Sequence, residues 1–163
     1  MPLIYPAPAS LKNPTVAVGN FDGVHAGHRA LLQAARALGG PLVVLTFEPH
    51  PRAILNPGKP FERLMTPDEK VAALQPLADA VAVLPFDRDV AGWTPEEFVN
   101  RALVEWLGAA QVVVGENFRF GHKAAGTTAT LAACPAFATT VVPLLADAGG
   151  MVISSSRLRA KND

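Results

Sequence analysis

Thr15-Val16-Ala17-Val18-Gly19-Asn20-Phe21-Asp22-Gly23-Val24-His25-Ala26-Gly27-His28 runs without a break into Arg29-Ala30-Leu31-Leu32-Gln33-Ala34-Ala35-Arg36-Ala37-Leu38. The first four residues are short, apolar and β-branched, the mark of a buried strand. The last ten place Leu31, Ala34, Ala35 and Leu38 on one face of a helix. Between them lies a turn with glycine at 19, 23 and 27, where backbone can approach a ligand closely. A helix start directs unpaired N–H groups and partial positive charge at whatever sits before it. An anion suits that place, and His25 and His28 add donors that can follow charge onto phosphate oxygens. His28 alone could serve as a helix cap, but that leaves His25 without a role. No Gly-Lys-Ser/Thr follows the glycines, which excludes a Walker loop, and their spacing is too wide for the dinucleotide fingerprint. The physical reading is a phosphate site at a strand-to-helix junction.

The rest of the chain repeats that alternation. Pro41-Leu42-Val43-Val44-Leu45-Thr46-Phe47, Ala80-Val81-Ala82-Val83-Leu84, Gln111-Val112-Val113-Val114 and Ala138-Thr139-Thr140-Val141-Val142 read as further strands, with Met151-Val152-Ile153 as a short extended piece. Strands apolar on both faces belong to a parallel sheet covered by helices, with right-handed crossovers. Thr66-Pro67-Asp68-Glu69 and Thr94-Pro95-Glu96-Glu97 are capping boxes that open helices through about Leu77 and to Leu107, where Gly108 ends the second. Phe98, Ala102, Leu103 and Trp106 form the inner face of that helix, and a short helix is expected near Thr127 to Ala133. Trp93 and Trp106 read as packing residues. Residues 1 to about 13 are proline-rich and are expected to wrap the surface, and residues 48 to 65 to form a long loop. The fold class that follows is α/β, a doubly wound, parallel five-stranded, Rossmann-like sheet in a single domain.

Composition sets the outer limits. A chain of 163 residues, half of them apolar and 17% charged, has room for one core and not comfortably for two. With 14 basic and 14 acidic residues the formal charge is zero, so neither a nucleic-acid surface nor a polybasic membrane patch is expected. The lone Cys134 excludes an internal disulfide framework and reads as a small buried hydrophobe. Met1 to Pro6 lack the basic region and apolar core of a signal peptide, and no apolar run reaches spanning length. A cytoplasmic protein is expected, as a monomer or weak homo-oligomer.

Three more segments carry possible chemistry. In Thr46-Phe47-Glu48-Pro49-His50-Pro51 two prolines hold His50 in a stiff extended segment. In Gly115-Glu116-Asn117-Phe118-Arg119-Phe120-Gly121, Asn117 offers an amide to the edge of a planar ring. Phe118 and Phe120 can stack on such a ring or plug the core, and Arg119 can contact a phosphate or the ring. His122 and Lys123 read as solvated. In Ile153-Ser154-Ser155-Ser156-Arg157-Leu158-Arg159, three hydroxyls can cap a helix and donate to an anion that arginine reaches from one turn on. No cluster of carboxylates offers a metal an all-protein cage, and Asp22 reads as a turn-fixing residue.

Taken together these stretches resemble one family. Gly19-Asn20-Phe21-Asp22-Gly23-Val24-His25-Ala26-Gly27-His28 is similar to the His-x-Gly-His signature of nucleotidyltransferases, in the fuller form found in the FMN adenylyltransferase module of bacterial FAD synthetases. Phe47-Glu48-Pro49-His50-Pro51, Gly115 to Gly121 and Ile153 to Arg159 look like that family's other motifs, in the same order. Ser156 stands where the family usually has threonine, and Val152 where an arginine or lysine often precedes the isoleucine.

The resemblance implies a strand order of 3-2-1-4-5 and transfer of the adenylyl group of ATP to FMN, giving FAD and pyrophosphate. It implies catalytic roles for His25, His28, Ser155 and Arg159. ATP is expected on Gly19, Asn20, Phe21, Gly27, His28, Ser154, Ser155, Ser156 and Arg159. The flavin is expected on Phe47, Pro49, His50, Asn117, Phe118, Arg119 and Phe120. Magnesium is expected to arrive with ATP. Residues 1–163 are expected to hold this one domain and nothing of the riboflavin kinase domain that usually follows it. The residues also leave open transfer to another phosphate acceptor, and a flavin- or nucleotide-binding module without catalysis.

Overall fold

Strand-forming segments too short to cross more than a few rungs must pair side by side, and here they do so in one sheet. The computed structural model describes residues 3–5, 12–21, 26–48 and 65–143. In chain order the elements are β1 (Leu3–Tyr5), β2 (Thr15–Val18), α1 (Ala26–Ala37), β3 (Leu42–Glu48), α2 (Pro67–Leu74) with a 3₁₀ turn at Gln75–Leu77, and β4 (Ala80–Pro85). They continue as α3 (Arg88–Ala91), α4 (Pro95–Phe98) widening into a π-helix over Val99–Trp106, β5 (Gln111–Gly115), a 3₁₀ turn at His122–Ala124, α5 (Thr128–Ala132) and β6 (Ala138–Val142).

The sheet order is β1-β4-β3-β2-β5-β6. The five strands β2 to β6 are parallel and stand in the order the resemblance implied. Within residues 1 to about 13, expected to wrap the surface, the described residues 3–5 join the sheet instead. Leu3, Ile4 and Tyr5 add a sixth strand, antiparallel to β4, with Leu3 opposite Val83. Three residues free of proline are enough for a short edge strand.

Successive strand residues point to opposite faces, and helices cover both. On one face Val16, Val18, Val43, Leu45, Phe47, Val112 and Val114 pack with Phe98, Val99, Ala102 and Leu103. On the other, Ala17, Val44, Val81 and Val113 pack with Leu31, Leu32 and Ala35 of α1 and Leu74 of α2. This is the doubly wound arrangement. The inner face of α1 takes Leu32 in place of Leu38, which is 38% exposed because the helix has already ended at Ala37. Gly39 and Gly40, at φ +84° and +74°, supply the left-handed turn that ends it. Both capping boxes form: Thr66 Oγ1 accepts from the Glu69 amide at 3.1 Å, and Thr94 Oγ1 from the Glu97 amide at 3.1 Å. Trp93 and Trp106 are half-buried against the core, as is Cys134. The loop expected over 48 to 65 and the extended piece at 151 to 153 lie, apart from Glu48 and Met65, outside the described residues.

At the closed end of the sheet, Asp79 ties three elements together. Its Oδ2 accepts from the Leu42 amide at 2.8 Å and from Arg36 Nη1 at 2.8 Å. The Leu42 N–H, then the Arg36 guanidinium, hold this carboxyl below the ordinary value of 3.8, against an opposing effect of burial. With the folded value below the unfolded one, the charge stabilises fully above 3.8 and loses that contribution as pH falls through the lower folded value. Asp79→Asn is expected to lower stability near neutrality by about 1 kcal/mol or less, since the pair is exposed and solvent-screened. The difference from wild type in urea midpoints should close as the pH is taken below that range.

Candidate active site

The register of the sheet leaves a notch at its open end. The last rung between β2 and β3 is Val18–Leu45, and β3 runs three residues further, to Glu48. On the other side β2 pairs with β5 as far as Ala17–Val113, and β5 continues through Val114 and Gly115. The turn Gly19-Asn20-Phe21 therefore emerges between two longer strands. It is also where the strand order reverses, since β3 and β4 lie to one side of β2 and β5 and β6 to the other. Ligands in doubly wound folds bind outside the carboxyl ends of strands at such a point.

Inside the notch the backbone is strained and braced. Phe21 has φ +52°, uncommon for an aromatic residue. Its ring is buried and folds back over its own strand end, so that a Cβ on Gly19 would lie 3.1 Å from it. Glycine at 19 is what makes room. The Asn20 carbonyl, which begins the peptide leading into Phe21, accepts from Thr46 Oγ1 at 3.0 Å and from Lys70 Nζ at 2.9 Å. Gly19 itself donates to the Leu45 carbonyl at 3.1 Å.

On this floor stands the start of α1. Its first turn, Ala26-Gly27-His28-Arg29, has no carboxylate to neutralise the helix dipole. His28 is half-buried, its ring meeting the edge of Phe21 at 5.0 Å between centroids. Gly27 lies one residue inside the helix. Of the residues expected to hold ATP, Gly19, Asn20, Phe21, Gly27 and His28 thus converge at one junction, with Phe21 as its floor. His25, Ser154, Ser155, Ser156 and Arg159 lie outside the described residues, as do Pro49 and His50.

Beyond β5 the expected flavin segment divides in two. Phe47 and Phe120 are buried, and Phe120 packs tilted on Phe98 at 5.2 Å. Phe47 lies between Phe86 and Phe98, at 6.0 Å from each. Asn117 and Arg119 are exposed and Phe118 is half-exposed, stacked on Phe120 at 5.6 Å and 18°. Phe118 is thus the outer end of an aromatic ladder that reaches into the core. Arg119 Nε donates to the Ala124 carbonyl at 3.3 Å within its own loop, and His122 and Lys123 are exposed.

Sequence reasoning did not single out Lys70 and Glu48. Lys70 is fully buried on α2, and its ammonium reaches the Glu48 carboxylate at 2.7 Å and the Phe47 carbonyl at 3.0 Å as well as Asn20. A signal was present: Lys70 and Leu74 are four residues apart, so a lysine occupies the same helix face as a core leucine.

A doubly wound sheet with a helix start free of carboxylates at its switch point defines a Rossmann-like α/β domain. The family model for FAD synthetase matches residues 7–157, and the chain belongs to that family. Its sequence is 40% identical over 109 residues to a bifunctional riboflavin kinase/FMN adenylyltransferase of Escherichia coli K12, covering 64% of this chain and 35% of that protein. Against the protein of the same name from Listeria monocytogenes it is 32% identical over 156 residues, covering 91% and 49%. The chain thus spans about half or less of the length of these curated relatives. In structure it is similar to a protein described as a macrolide-efflux protein from Streptococcus pneumoniae, with TM-score 0.80, 26% identity, and 93% and 51% of the two chains covered. It shares its fold with a pantoate-β-alanine ligase of Francisella tularensis at TM-score 0.58 and 17% identity, covering 96% and 67%. Among the described residues no helix is long and apolar enough to cross a membrane, and no group of His, Cys, Asp or Glu could hold a metal ion.

The ladder under Phe118 depends on Gly126, whose amide donates to the Phe120 carbonyl at 2.7 Å. A Cβ there would lie 2.7 Å from the Phe120 ring. Gly126→Ala should cost about 1–3 kcal/mol through overpacking, read as a lower melting temperature with a changed near-ultraviolet aromatic spectrum.

Proposed function

We propose that this domain transfers the adenylyl group of ATP to FMN, giving FAD and pyrophosphate. A phosphate oxygen of FMN forms a bond to the α-phosphorus. The bond from that phosphorus to the α,β-bridging oxygen breaks, and its electron pair leaves on pyrophosphate. The substrate brings its own nucleophile, so the protein's task is to align the two phosphates and stabilise charge. The observation that carries this reading is His28, half-buried against Phe21 in the first turn of α1, at the switch point of the sheet.

His28 is assigned to the α- and β-phosphate oxygens, with His25 beside it by virtue of the sequence motif. The start of α1 neutralises part of the same charge. Ser154, Ser155, Ser156 and Arg159 are assigned to the β- and γ-phosphates on the same sequence grounds. Magnesium comes as part of the MgATP substrate. The exposed groups of the loop after β5, Asn117, Phe118 and Arg119, are assigned to the flavin: an amide for the ring edge, an aromatic face for stacking, and a cation for the phosphate. The names of the relatives and the family support the same acceptor.

Pure protein incubated with FMN, ATP and magnesium should form FAD, separable by chromatography. His28→Ala should lower that rate about a hundredfold or more, the scale of removing one donor aimed at transition-state charge. Unchanged turnover would remove His28 from the mechanism. Consumption of ATP with some other phosphate acceptor, and none with FMN, would reassign the substrate.

A further inference from the structure

We infer that Lys70 is a positioning residue of this site, a buried clamp that fixes the turn carrying the phosphate-binding groups to the end of β3. Lys70 is fully buried, and its acceptors are the Asn20 carbonyl at 2.9 Å, the Phe47 carbonyl at 3.0 Å and Glu48 Oε1 at 2.7 Å. All three lie at the open end of the sheet: Asn20 follows the end of β2, and Phe47 and Glu48 are the last two residues of β3, past its last rung with β2 though still paired with β4. Beyond the rung Val18–Leu45 the β2–β3 ladder has ended, and the carbonyls of Asn20 and Phe47 converge there. Two carbonyls cannot bond each other, and a donor must lie between them. Lys70 supplies it from α2, and Thr46 Oγ1 adds a second donor to Asn20 at 3.0 Å.

The consequence reaches His28. Holding the Asn20 carbonyl fixes the plane of the peptide that joins Asn20 to Phe21, and so holds Phe21 at φ +52°. The Phe21 ring in turn lies edge-on to His28 at 5.0 Å. A leucine at 70 would cover the core as well, but would remove the lysine's bond to the Phe47 carbonyl, one of two donors to the Asn20 carbonyl, and the ammonium beside Glu48. Lys70 touches no substrate in this scheme. Its effect passes through Asn20 and Phe21.

The kinetic part of the test rests on the adenylyl-transfer reading, and the spectroscopic part does not. Lys70→Met combined with Glu48→Gln removes both charges at nearly constant volume, which avoids stranding a buried carboxylate. The double variant is expected to melt cooperatively, to exchange the Gly19 amide faster than wild type, and to show a shifted His28 ring-proton signal. Its kcat for FAD should fall about tenfold or more, as misplacement of an aligned group does, with a much smaller change in KM for ATP. Wild-type exchange and a wild-type His28 signal would overturn the clamp, and so would an unaltered kcat despite a loosened turn. If the double variant does not fold, Lys70→Gln, which keeps a neutral donor, is read by the same measures against the same criteria. Should wild-type protein make no FAD at all, the catalytic reading fails, while the exchange and ring signals still decide the clamp.

Discussion

An ammonium group shut away from water must find its hydrogen bonds within the protein or lose its charge. Lys70 meets that demand with two carbonyls and a carboxylate, matching the three protons it carries. This one requirement draws together segments far apart in sequence: a helix at 70, a turn at 20 and a strand end at 47 and 48. The rest of the open end is arranged around it. Thr46 adds its hydroxyl to the same Asn20 carbonyl, Phe21 takes its left-handed conformation next to it, and His28 rests on Phe21.

The strain at Phe21 is what such bracing makes possible. A non-glycine residue in the left-handed region costs on the order of 1–3 kcal/mol and persists only where its surroundings over-determine it. Here those surroundings are identifiable. Gly19 leaves room for the ring, the hydrophobic cluster around Ala17, Leu31 and Val113 encloses it, and the doubly bonded Asn20 carbonyl sets the peptide that leads into it. An extended Phe21 would carry its ring away from α1, and His28 would lose the surface it meets.

Most of the fold was legible because it rests on patterns within a few residues. Runs such as Leu42 to Phe47 are apolar on both faces, which points to a covered parallel sheet, and Thr66-Pro67-Asp68-Glu69 sets a helix start to the residue. What escaped rests on contacts remote in sequence. Leu3–Tyr5 becomes a strand because β4 presents an edge to it. The switch to i→i−5 bonding, as from Leu107 to Ala102, turns Val99 inward together with Ala102 and Leu103, and local propensity carries no sign of that. At the site, the glycines and His28 were legible as a strand-to-helix junction. Phe47 and Phe120 were expected on the flavin, yet their rings lie in the core. The alternation of Phe118, Arg119 and Phe120 sends one ring inward and leaves the next half-exposed, and the motif alone does not say which.

The two halves of the notch solve different problems by different means. The side near α1 presents a helix start free of carboxylates and an imidazole set against a buried ring, a combination suited to negative charge. The side beyond β5 offers a flat aromatic face whose stiffness comes from behind, through Phe120 and Phe98 to Phe47. Phe47 belongs to β3, one residue before Glu48, and its carbonyl is among the acceptors of Lys70. The end of β3 is therefore shared. Its main chain and carboxylate brace the α1 side through the buried ammonium, while its Phe47 ring anchors the aromatic side. A shift there would move both halves together, so the end of β3 couples the position of the α1 side to that of the aromatic side.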